Sequence, residues 1–413
     1  MRVSSNQFYQ TGLHAINSQQ SELMHLYKQL GSTKRLITPA DDPLAAAQAI
    51  NISQSQSLNQ RLAENRDIAR RSLGTAENTL LSMTLLLQEI KTRLIEAGNG
   101  TLSDHDRAAL GNVLLGARDN LLGLANATDG NGQYLFSGSR GEVAAYQEEA
   151  GRIVYCGDQL QRTVQADPTR RIAGSDIGSD ILERAVPGSN AYLTRATVDN
   201  IGTGRIGAPV ITDPRAAQAG HYFTITFTDE ITYNVTVTDG LGETVETREN
   251  QRYIPDKENT IVLSSGVRVM VCGSPASEDT FFAEPLNGEA TRLNIFDTLD
   301  SVIAALRSPM EGNDHAKACF SNVLASATQR IGSHYDNVLT VRASVGARMN
   351  ELDALDDSGS LRDLGYAMHL SNLEGLDYYR ASTQLQLRLS ALEAASLAFR
   401  KIQSTSLFNL VAN

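Results

Sequence analysis

The sequence predicts an α+β protein: a long antiparallel coiled-coil helical rod formed by paired N- and C-terminal arms, with an inserted β-rich outer domain. Three observations predict it. Apolar residues step by threes and fours toward both ends, the middle changes to a period of two, and Gly, Pro, Asp and Asn cluster where the pattern changes. With 413 residues, 41% hydrophobic and 20% charged, the chain is long enough for two or three domains with a sizeable core.

From the N-terminus, Leu13, Ile16, Leu23, Tyr27 and Leu30 form a heptad-like stripe that Gln20 interrupts. This helix is expected to end near Ile37, because Pro39 biases Thr38 away from helical backbone. Asp42 then reads as an N-cap with Pro43 in the first helical position, where its missing N–H costs nothing. Pro39, Asp42 and Pro43 therefore make a helix joint with its own stop and start signals. As an acid–base pair, Asp41 and Asp42 are poor, since adjacent side chains point apart and no His or Lys constellation accompanies them.

The next helix carries an unbroken stripe from Ala69 through Leu73, Leu80, Leu87 and Leu94 to Ala97, and "GNG" at Gly98–Gly100 stops it. Ser103 and Asp106 resemble a capping box that opens a helix with Leu110, Val113, Ala117, Leu121 and Leu124 on one face. "DGNG", Asp129–Gly132, ends that helix.

Between about Tyr134 and Glu289 short β-like runs follow one another. "HYFTITFTDEITYNVTVTDG", His221–Gly240, alternates strictly, and "TIVLSSGVRVMVCG", Thr260–Gly273, reads as a hairpin. Helical stepping returns with Leu324, Ala327, Ile331, Val338, Val341 and Val345, and "DDSGS" at Asp356–Ser360 is expected to interrupt it. From Leu361 to Phe399 the alternation runs without a fault, several of its seam positions being Ser or Gly.

These patterns divide the chain into terminal coiled-coil arms (1–44 and 365–413), a helical rod domain (45–186 and 290–364, with a β-hairpin region near 134–182), and a β-rich domain (187–289). Leu13, Ile16, Leu23 and Leu30 are the expected inner-arm packing residues. The module between about Pro187 and Leu286 enters and leaves through Pro- and Gly-containing stretches and is expected to be dispensable for folding of the rod.

Composition and motifs exclude several chemistries. A net charge of −11 argues against duplex nucleic-acid binding, and Trp is absent. Cys156, Cys272 and Cys319 lie far apart in no metal spacing, and the seven histidines are scattered. "DGNG" lacks the later acidic ligand of a calcium loop, and no Gly-rich run fits a nucleotide fingerprint. No nucleophile, base and orienting group assemble, so no enzyme, cofactor or metal is expected. The N-terminus lacks the apolar core of a cleaved secretory signal, and no window reaches the length of a membrane span, so no membrane insertion is expected.

"KRLITPADDPLAAAQA", Lys34–Ala49, carries a resemblance as well. With "GQYLFSGSRG" (Gly132–Gly141), "YCGDQLQRTVQADPTRRIAGSDIGSDIL" (Tyr155–Leu182) and the closing "SLFNLVAN" (Ser406–Asn413), it resembles the flagellin superfamily. Within that superfamily it is similar to the third hook-associated family at the hook–filament junction. Flagellins proper lack these prolines. The family's usual Thr-Gly-Lys-Arg order stands here as "GSTKR", Gly31–Arg35, so the preceding turn is expected to differ.

The resemblance implies a structural adaptor that connects the first hook-associated protein to flagellin, with copies of itself arranged in a ring. It also implies an extracellular place on the bacterial flagellum, export through the flagellar type III apparatus without a cleaved signal, and a cytoplasmic export chaperone. Leu385, Leu389, Leu392 and Phe399 are the assembly and chaperone-binding face in this reading. A minor flagellin and, from another class, a cytoplasmic coiled-coil signalling scaffold are the alternatives.

Overall fold

The structure is a computed structural model in which residues 5–187, 189, 191–213, 220–264, 266–286 and 293–404 are described. The closing "SLFNLVAN" lies outside the described residues. Contacts group the chain into two units, Met1–Glu64 with Ala354–Asn413, and Asn65–Asp353.

In the second unit, the Ala69–Ala97 stripe forms the buried edge of a long helix, α2 (Pro43–Ala97). Every member of that stripe is buried, with Leu73, Leu80, Met83, Leu87, Ile90 and Leu94 all fully so. Such complete burial is worth roughly 1.5–3 kcal/mol for each large side chain, which makes this seam a principal source of the unit's stability. Helix α3 (Asp104–Ala125) opens with the capping box, the Ser103 hydroxyl accepting from the Asp106 N–H while Asp106 accepts from Ser103. Its buried face differs from the expected one. Leu110, Leu114, Leu121 and Ala125 point inward and Val113 is exposed, because the face follows packing against a later helix, α5 (Ile295–Arg307).

Two small hairpins follow α3: β1 (Tyr146–Glu149) with β2 (Arg152–Tyr155), and β3 (Thr163–Asp167) with β4 (Arg170–Ala173). The short helix α4 (Gly178–Leu182) comes next. The β-rich part contains β5 (Tyr192–Ala196), β6 (Arg205–Ile206), β7 (Val210–Ile211), β8 (Tyr222–Phe227), β9 (Thr232–Thr238), β10 (Thr244–Arg252), β11 (Asn259–Val262), β12 (Val267–Cys272) and β13 (Thr280–Pro285). One antiparallel sheet runs β10-β9-β8-β13-β5, and the second runs β11-β12-β6 with β7 also on β12. The alternation in His221–Gly240 places Phe223, Ile225 and Phe227 of β8 and Val235 and Val237 of β9 in one core with Val269 and Val271 of β12.

The very long helix α6 (Asp314–Glu374) runs antiparallel to α2 across the second unit. Arg70 meets Asp353 (3.0 Å), Glu77 meets Arg342 (2.7 Å) and Gln88 donates to the Tyr335 hydroxyl (2.7 Å). Of the expected stripe, Ala327, Ile331, Val338 and Val345 are buried, while Leu324 and Val341 are half-buried.

A second, polar row on α6 escaped the periodicity. His315, Asn322, Gln329 and Asn337 follow at steps of seven, seven and eight, which places them on one face. Nδ1 of His315 lies 3.0 Å from the Gly202 carbonyl. Buried Asn322 accepts from the Ile206 N–H (2.9 Å) and donates to the Gly204 carbonyl (3.0 Å). Gln329 accepts from the Thr194 N–H (3.1 Å), and Asn337 donates to the carbonyls of Asp180, Ile181 and Arg184.

The bonds from His315, Asn322 and Gln329 tie the β-rich part to the stretch of α6 in the second unit, so removing that part would leave these side chains without their partners. Apolar stepping registers greasy contacts and is blind to side-chain-to-backbone bonds. Asn322→Leu should therefore destabilise the protein by about 2 kcal/mol, since the buried Ile206 N–H and Gly204 carbonyl lose their partner. An unchanged urea midpoint would contradict that role.

The first unit contains α1 (Ser5–Ser32), the beginning of α2, the end of α6, and α7 (Tyr378–Ser404). Helix α1 ends five residues before the expected Ile37, because Thr33 takes a left-handed backbone (φ 58°). "DDSGS" does not interrupt α6. Gly359 is buried there and its carbonyl accepts from the buried Asn59 amide (2.9 Å), so packing against α2 offsets the roughly 1 kcal/mol helix cost of a glycine. The break comes instead at Gly375, inside the stretch that the sequence reads as faultless.

Candidate functional site

Two helix joints lie side by side in the first unit. Residues 33–42 form one, between α1 and α2, and residues 375–377 form the other, between α6 and α7. Lys34 bridges to Gly375 in antiparallel fashion. The Arg35 N–H donates to the Glu374 carbonyl (2.6 Å), the Leu376 N–H donates to the Thr33 carbonyl (3.3 Å), and the Arg35 guanidinium reaches the Leu373 carbonyl (3.0 Å). Lys34 and Glu374 add an ion pair at 2.6 Å. A Cβ on Gly375 would collide with the Ser371 carbonyl, so the second joint requires glycine.

The two aspartates of the first joint divide its work. Asp41 closes the loop, accepting from the N–H groups of Ile37 and Thr38 (both 2.9 Å) and from the Thr38 hydroxyl (3.0 Å). The bond from Thr38 is the main reason its carboxyl titrates below the usual range. Asp42 caps α2, accepting from the Ala45 N–H (3.1 Å), and that bond likewise lowers its pKa. Pro43 is the first helical residue. In the second joint, Asp377 repeats the device by accepting from the Arg380 N–H (3.1 Å). The sequence reading missed Gly375 and Asp377, although glycine followed two residues later by an aspartate is a recognisable helix stop and start.

The paired terminal helices α1 and α7 meet along a thin seam. On α1 it runs Gly12, Ile16, Gln19, Leu23, Leu26 and Leu30, with only Leu23 and Leu26 buried. Leu13 and Tyr27 lie outside it and are exposed, and Gln19, rather than Gln20, is the polar interruption. On α7 the seam is Ala381, Leu385, Arg388, Leu392, Ala395 and Phe399.

Leu385, Leu392 and Phe399 are thus half-buried, whereas Leu389 is 36% exposed because Arg388 takes the inward position. Arg388 pairs with Glu22 and approaches Gln19 (3.4 Å), making a polar layer. Phe399 seats where a Cβ on Gly12 would meet its ring at 2.8 Å, and its ring lies tilted by 44° against Tyr9 with centroids 5.1 Å apart. Much apolar surface of this unit stays uncovered, including Met24, Leu44, Leu361, Leu364 and Leu387.

The remaining signature residues converge in the second unit. Gly138 (φ 71°) passes so close to Asp158 that a side chain would collide, and the Ser139 N–H donates to the Asp158 carboxylate (2.7 Å). The Tyr155 hydroxyl lies between the carbonyls of Phe136 (3.1 Å) and Asp158 (2.9 Å), within donating distance of either. Arg348 holds both Asp176 oxygens (2.8 and 2.7 Å) and the Ala173 carbonyl (2.9 Å), and buried Arg66 donates to the Ala166 carbonyl (2.9 Å). "GQYLFSGSRG" and "YCGDQ" therefore build a folded brace. Among the described residues no cluster of three or more His, Cys, Asp and Glu could hold a metal, and no helix is long and apolar enough to cross a membrane.

Helical ends that pair with each other flank an inserted β-rich part, the build of a structural subunit rather than of a reaction centre. The bacterial flagellin N-terminal helical region matches residues 3–140. The flagellar hook-associated protein 3 of Escherichia coli is 30% identical over 410 residues, covering 99% of each chain. Among solved structures, the flagellar hook associated protein-3 of Legionella pneumophila superposes with a TM-score of 0.67 at 26% identity, covering 78% of this chain and 98% of that one. The flagellar junction protein FlgL of the same organism gives 0.63 at 25% identity, covering 79% and 100%. The chain belongs to the flagellar hook-associated protein 3 family, which has a structural role at the hook–filament junction of the bacterial flagellum.

Proposed function

We propose that this chain is the adaptor that connects the first hook-associated protein to flagellin, working by packing alone and catalysing no reaction. The observation that carries the reading is the terminal pair itself. Its seam buries few large side chains, while Leu387 and Leu397 of α7 and Met24 of α1 are more than half exposed. Helices of this kind gain most of their stability from neighbours that complete their packing.

In the proposed arrangement the arms 1–44 and 365–413 form an inner layer, shared with copies of the chain in a ring, and residues 187–289 face outward. The protein leaves the cell unfolded through the flagellar type III apparatus, and an export chaperone covers the amphipathic α7 beforehand. A labelled copy should sit as a single band between hook and filament in electron micrographs, and removing the export gate should stop its secretion. Label spread along the filament would favour a minor flagellin instead. Secretion that ignores the gate would sink the export route.

A further inference from the structure

Thr33 is the only β-branched side chain with a left-handed backbone among the described residues. That conformation crowds Cβ against the following carbonyl and is a genuine outlier for a branched residue. It persists because the joint holds it from both sides: the Lys34–Gly375 bridge follows directly, and the Leu376 N–H draws on the Thr33 carbonyl. Those holding contacts are several but open to solvent. Thr33, Lys34, Arg35 and Gly375 are exposed, Leu36 is only half-buried, and no large apolar side chain is buried between residues 31 and 42. The ion pair between Arg35 and Asp42 is open to solvent at both partners, so screening leaves it little weight.

We propose that Thr33 stores backbone strain in the joint, and that the two joints form a clasp which opens before the helices beside it melt. Opening breaks the bridge between residues 33–36 and 374–376 and frees the α1/α7 pair, as a body, from the start of α2 and the end of α6. Strain of this sort survives only where the surroundings over-determine it, and local opening takes the least-buried links first. If the junction role is right, the released pair can turn to meet the neighbours that complete its seam; the clasp itself does not depend on that role.

Hydrogen–deuterium exchange of the full chain tests the proposal. Thr33→Gly and Thr33→Asn both accept the left-handed backbone, and Asn does so without glycine's added freedom in the unfolded chain. Both should slow exchange at Lys34–Ile37 and Leu376–Tyr378 by about tenfold, the equivalent of relieving about 1.4 kcal/mol. Amides in Ala69–Ala97 should be unaffected, and those of Ser21–Leu30 should stay protected while the clasp opens. Ser32→Gly, which adds backbone freedom and removes the hydroxyl that accepts from the Lys34 N–H (3.4 Å), should instead speed exchange at the clasp. Unchanged or faster exchange in both Thr33 variants would overturn the proposal, and so would equal slowing across Ala69–Ala97, which would make the strain a global term.

Discussion

Leu385→Glu combined with Leu389→Glu should abolish incorporation of the protein at the junction while leaving the main melting transition of residues 65–353 in place. Both residues lie on α7, in the other unit. Burying one leucine is worth roughly 1.5–3 kcal/mol, and a carboxylate forced into the same contact must also be desolvated. The single variants divide the effect. Leu385 is half-buried in the seam with α1, so Leu385→Glu should loosen the terminal pair within one chain. Leu389 is 36% exposed, so Leu389→Glu should disturb that pair less than Leu385→Glu and act mainly against neighbours. Circular dichroism would report the pair, and micrographs with secreted flagellin that fails to polymerise would report the junction. A large fall in the main transition for the double variant would show that α7 belongs to the stable core.

His334 should by itself take about 3 kcal/mol from the stability of the second unit as pH drops from 7 to 4. The imidazole is fully buried on α6, and burial holds its pKa down to about 4 against an ordinary 6.5, with repulsion from Arg330 adding to the effect. Between those values the unfolded chain binds a proton that the native chain refuses, so stability is lost as pH falls through the window. Asp176 and Glu183 act in the opposite sense. Burial raises both carboxyls, so protonation favours the native state at the acid end and partly offsets the histidine. Comparing wild type with His334→Leu, a change of similar volume, isolates the term. Urea midpoints across the range should lose about 3 kcal/mol of slope in the variant, and parallel curves would rule out the histidine as the source.

Local chemistry determined most of the helical architecture. Ala69–Ala97 is a buried seam because steps of three and four keep residues on one helix face, whatever that face meets. The Ser103 cap, the Asp42–Pro43 start and the alternation of β8 and β9 were legible for the same reason: each depends on residues within a few positions of one another. The resemblance to hook-associated proteins was likewise written in short signatures, and the full-length relative agrees with it.

What the sequence could not settle was choice between nearly equivalent registers and breaks. Leu26 is buried and Tyr27 is not, Leu114 is buried and Val113 is not, because the partner helix selects one of two adjacent stripes. Gly359 stays inside α6 while Gly375 ends it, since Asn59 packs on the first and the Thr33–Arg35 backbone bonds across the second. The polar row of His315, Asn322, Gln329 and Asn337 shares a helix face, but its role left no apolar signal, because its partners are chiefly backbone groups that every residue carries. Tertiary structure decided these points because each compares a local cost of about 1 kcal/mol with a contact supplied from hundreds of residues away.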